Sequence, residues 1–132
     1  MTAQKIYQAA LELINERDEN GELCDSTGDF EKNAPGYLSI LTISLYELDC
    51  RIKGVSCNID DDNPPSVKSL EDEITLHSVL CRGVLPYGLA FMLLLEEEPS
   101  RAEKFRMLYE NAVYNLEKMH LRGQRKNIKD VY

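Results

Sequence analysis

The stretch LHSVLCRGVLPYGLAFMLLL, residues 76–95, constrains the fold of this chain more than any other part of its 132 residues. From Leu89 to Leu95 it is apolar on every side. A helix without a polar face cannot lie on a wet surface, so it belongs inside a core or inside an oligomer. The uncharged run from Gly83 to Leu95 is too short to cross a bilayer, which takes about 20 apolar residues. Pro86 and Gly88 interrupt it, and proline removes a ladder N–H and crowds the preceding turn. The expected element is a helix capped by Thr75, starting at Leu76, kinked or restarted at Pro86, and continuing through Leu95.

Such a helix needs amphipathic elements around it, and the flanking sequence supplies them. Ile6, Tyr7, Ala10, Leu13 and Ile14 form one stripe of a 3.6-residue period, and Thr2 can cap it. Asn20-Gly21 signals the turn that follows. Thr27 or Asp29 can cap the next helix, in which Pro35 marks either a kink or the first turn of a longer helix. From Tyr37 the apolar set Leu38, Leu41, Ile43, Leu45, Leu48 and Ile52, with Ile40 and Tyr46 between, is wide enough to predict a buried helix. Gly54 is a suitable C′ residue for its end. Pro99 suits the first turn of a last helix, on which Ala102, Phe105, Tyr109, Ala112 and Leu116 follow 3–4 spacing. Glu103, Glu110 and Glu117 repeat every seven residues on another side, and Gly123 marks the expected end. Residues 55–66, with Asp60-Asp61-Asp62 and Pro64-Pro65, read as a solvated loop. The DDDN run lacks the spaced carboxylates of a calcium loop. No strand signal competes, so the fold class is all-α, a bundle of four to five helices with a long middle loop and a short C-terminal tail. The domain reads as 1–122 and the basic tail as 123–132.

The net charge of −8 is unevenly spread. Residues 1–117 hold 10 Lys and Arg against 22 Asp and Glu. Residues 118–132 hold Lys118, Arg122, Arg125, Lys126 and Lys129 against Asp130 alone. An acidic body disfavours a phosphate-gripping surface, and a tail of opposite sign is a candidate docking element. Cations also suit the last turn of a helix, a sufficient reason for Lys118 and Arg122. It does not reach Arg125, Lys126 and Lys129 beyond Gly123. Tyr132 closes that segment, and NIKDVY has the make-up of a strand or groove ligand.

Cys24, Cys50, Cys57 and Cys81 are spaced by 26, 7 and 24 residues, without the close pairing of a zinc site. They are expected to be reduced structural cysteines, which points to a reducing cytoplasm. The start of the chain has no continuous apolar run of the signal-peptide kind. Glycine-rich phosphate loops are missing. His77 and Cys81 share a helical face and form the only pair resembling an activated thiol. Pairs such as Glu71/Glu73 look like helix flanks and not like acid/base dyads, which need one carboxylate desolvated. The expectation is no enzyme, no cofactor and no metal. The seven tyrosines, with no tryptophan, combine apolar bodies with polar tips that suit a core rim or an interface. Tyr87, Phe91, Leu94, Phe105 and Tyr109 are the candidates for an oligomer or core face.

The segment GVLPYGLAFMLLLEEEPSRAEKFRMLYENAVYNL, residues 83–116, resembles proteins of the head–tail morphogenesis region of tailed phages and Gram-positive prophages. The shared pattern is a proline-broken apolar helix, an acidic turn with proline, and a helix carrying Phe-x-x-x-Tyr. IYQAALELINE and DFEKNAPGYLSILTISLYELD look like the front half of the same proteins. The family is similar to helical head–tail connector adaptors. The resemblance implies a ring of copies beneath the portal that extends the DNA channel and receives a tail or stopper protein. It implies that Arg122, Arg125, Lys126, Lys129 and Tyr132 dock on the portal, and it makes the 55–66 loop a candidate for contacts with a neighbour or the next ring. DNA would pass an acidic wall without specific binding. The place implied is the host cytoplasm during assembly and the virion neck afterwards, with no membrane. The other function open to the residues is a small helical regulatory or interaction module.

Overall fold

The computed structural model describes residues 1–15, 29–56 and 65–129, and for 121–129 the backbone alone. Five helices make up the described fold: α1 (Ala3–Ile14), α2 (Asp29–Lys53), α3 (Ser78–Gly83), α4 (Leu85–Leu94) and α5 (Pro99–Lys129). The fold class is all-α, and the pairing of Thr2 with Glu73 is the one isolated β-bridge among the described residues.

The apolar segment is two helices. The ladder breaks at Val84, at φ −126° and ψ −53°, and α4 restarts with Pro86 in its first turn. A proline there gives up an N–H that has no intrahelical partner anyway. The expected start at Leu76 moves as well. His77 is the cap, and its Nδ1 accepts the N–H of Val79 at 3.1 Å. Helix α4 then does what an all-round apolar helix must do within one chain. It packs against α1, α2, α3 and α5, most extensively α5. Leu85, Leu89, Ala90 and Leu94 are fully buried. Burying one such leucine is worth about 1.5–3 kcal/mol.

Around α4, α1 buries Ala3, Ile6, Tyr7, Ala10, Leu11 and Ile14, so that Leu11 takes the interior place expected of Leu13. Thr2 Oγ1 accepts from the N–H of Lys5 at 3.4 Å. Asn15, at φ 64°, ends the helix long before Asn20-Gly21, because asparagine tolerates the left-handed conformation that a C-cap requires. Helix α2 contains Pro35 within its span. It buries Leu38, Leu41, Leu45 and Leu48 but leaves Ile40 and Ile43 about half exposed, at 53% and 50%. The buried stripe is thus narrower than the apolar set, since the neighbours cover only one side of the helix. Its end follows the Schellman pattern expected of Gly54. At φ +71° Gly54 donates to Arg51 O, and Val55 donates to Cys50 O at 3.0 Å.

Helix α5 does not stop at Gly123 but continues to Lys129. A glycine costs a helix interior about 1 kcal/mol relative to alanine. Leu121, Arg122, Gln124, Arg125 and Lys126 are all good helix formers, so a lone glycine does not terminate the run. The segment expected to be a tail from Gly123 is therefore helical backbone as far as Lys129. Asp130, Val131 and Tyr132 lie outside the described residues, as do the DDDN run, Cys24 and Cys57.

Residues 65–77 have no helix, yet they are fastened at both ends. Ser39 Oγ accepts from the N–H of Val67 at 2.7 Å and donates to its carbonyl at 2.9 Å. The carbonyls of Asp72 and Leu70 accept the N–H groups of Ala3 and Gln4 at 2.9 and 2.8 Å. These are first-turn donors of α1 that have no intrahelical acceptor. Val67, Ile74 and Leu76 add their side chains to the core.

Candidate functional site

The face of α5 turned away from the core is the most distinctive surface. Ala102 and Phe105 are buried and Tyr109, Ala112, Val113 and Leu116 pack against the core. On the opposite side Met107 is 54% exposed and Tyr114 59%, while Leu108 at 39% and Met119 at 65% flank the packed face. Met107, Asn111, Tyr114 and Lys118 recur at 3–4 spacing, all of them exposed. The ammonium of Lys118 sits 5.9 Å from the centroid of the Tyr114 ring, within cation–π range. Because α5 remains helical through Gly123, positions 122, 125 and 129 continue that spacing, with 126 beside them. Along these positions the sequence is apolar and amide-bearing in the first half and Lys or Arg in the second. The side chains of Arg122, Arg125, Lys126 and Lys129 and all of Tyr132 lie outside the described residues. Glu103 and Glu110 stand off this face, both paired to Arg106, and that guanidinium holds the Glu103 carboxyl below the ordinary range.

The five candidates for an oligomer or core face separate by burial. Leu94 and Phe105 are interior, while Tyr87, Phe91 and Tyr109 are partly buried against the core. Burial pushes the Tyr109 phenol pKa up. A Cβ on Gly88 would lie 2.9 Å from Tyr109 Cδ2, so glycine is what lets the ring rest on the α4 backbone. All five lie in or against the core of one chain: Tyr109 meets Gly88 across the α4–α5 seam, while Tyr87 lines a depression with Ala9, Glu12 and Leu13 of α1.

The His77–Cys81 pair is committed elsewhere. His77 Nδ1 is used as the cap. Cys81 Sγ donates to Leu76 O at 3.4 Å, and desolvation raises the thiol pKa, with smaller opposing effects from nearby cations. Reactive thiols show the opposite environment. Cys50 and Cys81 are free and buried. With Cys24 and Cys57 replaced by serine, both should be alkylated only as fast as the chain opens. Fast labelling of the folded chain would contradict that burial. The raised Cys81 and Tyr109 values also set a sign. In the unfolded chain these groups ionise first, so stability should fall as pH rises through the ordinary thiol and phenol ranges. Urea midpoints measured towards alkaline pH check this, and the slope should flatten in a Cys81→Ala, Tyr109→Phe chain.

Sequence reasoning missed two polar anchors, Asp49 and Thr42, the buried polar residues among those described. Asp49 Oδ1 accepts the N–H of His77 at 2.7 Å, and Oδ2 lies 2.9 Å from Lys53 Nζ. Thr42 Oγ1 donates to Leu38 O at 2.6 Å. Spacing alone marks neither, although an aspartate in the middle of an apolar helix stripe is itself a signal. Among the described residues no three His, Cys, Asp or Glu side chains group as a metal site, and no helix is long and apolar enough to cross a membrane. No protein-family model matches the chain, and neither does any curated protein or solved structure.

Proposed function

We propose that this chain is a non-enzymatic assembly protein, a head–tail connector adaptor of a tailed phage or prophage. In this reading it forms a ring with copies of itself beneath the portal, extends the DNA channel, and docks through the far half of α5. The observation that carries the proposal is the outer face of α5. A 31-residue helix spans about 46 Å, far more than the 10-residue α4 it packs against needs. Its outer face spends Met107 and Tyr114 on solvent, residue types favoured where proteins meet. The basic half adds the charge that steers an encounter with an acidic surface. The acidic remainder of the chain suits a wall past which DNA slides, because carboxylates repel phosphate.

The test is electron microscopy of the purified chain mixed with purified portal rings of tailed phages. The expected result is an added ring of density on the portal. Deleting residues 123–132 should abolish attachment, lower the helical circular dichroism only by the share of residues 123–129, and leave the thermal midpoint unchanged. An unaltered portal in the presence of wild-type chain refutes the proposal. Met107→Glu with Tyr114→Glu should change stability by no more than about 0.5 kcal/mol, as is usual for exposed positions. The same pair should weaken attachment at least tenfold.

A second reading, a small regulatory or interaction module, draws on the closed core. Helix α4 is covered by its own chain, so the apolar segment does not by itself demand an oligomer. Under that reading the chain stays monomeric or dimeric and residues 123–132 are dispensable.

A further inference from the structure

The two ends of α4 carry opposite charges. At one end Lys5 of α1 and Arg82 of α3 line a shared depression with Ser78 and Cys81. Arg82 also lines an adjoining depression with Leu13, Pro86 and Tyr87, where Glu12 is the one acidic group. Lys5 and Arg82 are exposed, and neither has an ion-pair partner among the described residues. In a chain of net charge −8, two free cations converging on one depression are conspicuous. At the other end, just past α4, Leu95 is 50% exposed. Glu96 and Glu97 follow it, line a cleft with Asp29 and Tyr37, and have no ion-pair partner among the described residues. Glu98 differs, being paired with Arg101 at 2.9 Å. The ten residues of α4 separate the two ends by about 15 Å.

We infer that copies of this chain associate head to tail, the Leu95-Glu96-Glu97 corner of one copy seating in the Lys5–Arg82 groove of the next. The inference rests on the assembly reading and names the surfaces that make the ring. The chemistry matches in kind and order. Two carboxylates meet two cations, and the adjacent exposed leucine meets the partly buried Leu13 and Tyr87. The two surfaces differ and lie at opposite ends, so the contact is heterologous. Each copy gives one surface and receives the other, and repetition closes a ring or grows a filament. Neither surface involves the outer face of α5, which remains available for a different protein. The attraction between exposed charges is screened over about 10 Å at 0.1 M salt, so association should weaken as salt rises.

Charge exchange tests this by sedimentation velocity over a range of protein and salt concentrations. The wild-type chain should self-associate at low salt. Lys5→Glu with Arg82→Glu should associate at least tenfold more weakly, and so should Glu96→Lys with Glu97→Lys. An equimolar mixture of the two variants should recover association, because each variant's altered surface then faces an opposite charge. Circular dichroism confirms folding, and Lys5→Gln with Arg82→Gln serves if charge reversal perturbs it. A wild-type chain that is monomeric throughout overturns the inference. Variants that associate like wild type also overturn it while leaving the assembly reading intact. Failure of the mixture to recover, with both variants folded and monomeric, overturns the pairing of these two surfaces. Absence of added density on the portal, in the separate imaging experiment, removes the assembly reading itself.

Discussion

Gly88→Leu should destabilise the chain by about 3 kcal/mol, lowering the melting temperature by about 10 °C. The cause is the closeness of α4 to two neighbours at once. A Cβ at position 88 would lie 2.9 Å from Tyr109 Cδ2 and 3.0 Å from Leu41 Cδ2. Leucine adds three further carbons to that overlap, and α4 must then part from α5 or α2. Alanine has a milder balance, because its gain in helix propensity, about 1 kcal/mol, offsets part of the contact with Tyr109. Gly88→Ala should therefore fall within about 1 kcal/mol of wild type. Shortening Tyr109 to alanine in the Gly88→Leu chain should recover part of the loss, since the leucine fills the vacated space. That is a coupling a double-mutant cycle reads directly. A Gly88→Leu chain as stable as wild type would rule out so close an approach.

Much of this packing is legible in the letters. The all-round apolar run at Leu89–Leu95 demands a covered position, and α4 has one as far as Leu94, while Leu95, just past its end, is half exposed. The 3–4 spacing of Ala102, Phe105, Tyr109, Ala112 and Leu116 places the inner face of α5, and Gly54 marks the end of α2. What failed was local punctuation weighed without context. Gly123 reads as a stop, but the helix formers on both sides carry α5 through it. That misreading also hides the best candidate surface. The spacing of Met107, Asn111, Tyr114, Lys118, Arg122, Arg125 and Lys129 is present in the sequence, and becomes one face only when the helix is continuous.

Other features are read only with the period strictly applied, or carry no periodic signal. Ile40 and Ile43 belong to the apolar set of α2 but lie off the 3–4 stripe of Leu38, Leu41, Leu45 and Leu48, which is the side the neighbours cover. The 65–77 segment is held by Ser39 and Asp49, whose partners Val67 and His77 each lie 28 residues away in the chain. No spacing rule reports a hydrogen bond of that range. The candidate groove has the same origin. Lys5 and Arg82 are far apart in sequence and meet because α1 and α3 border the same depression.

Asp49→Ala should cost about 2–3 kcal/mol, the second large effect expected in this molecule. Its carboxylate is buried and joins two elements, accepting the His77 N–H that opens α3 and pairing with Lys53. Alanine removes a hydrogen bond from the partly buried His77 N–H to a charged acceptor, a loss of about 1.5–3 kcal/mol. Lys53 loses less. Its side chain is 37% exposed and its ammonium still donates to Thr75 O at 2.8 Å, so water and that carbonyl share its charge. Asp49→Asn retains an acceptor oxygen and should lose only about 1 kcal/mol. Hydrogen exchange separates local from global loss. Protection at His77, Leu80 and Cys81 should fall first in the alanine variant, because α3 has six residues and depends on tertiary anchors more than on its own ladder. Uniform loss of protection across α1, α4 and α5 would show instead that Asp49 supports the whole core. The distinction bears on assembly. Arg82 sits in the last turn of α3, so an α3 loosened at its start presents that guanidinium less well, and self-association should weaken in Asp49→Ala even where the rest of the fold holds.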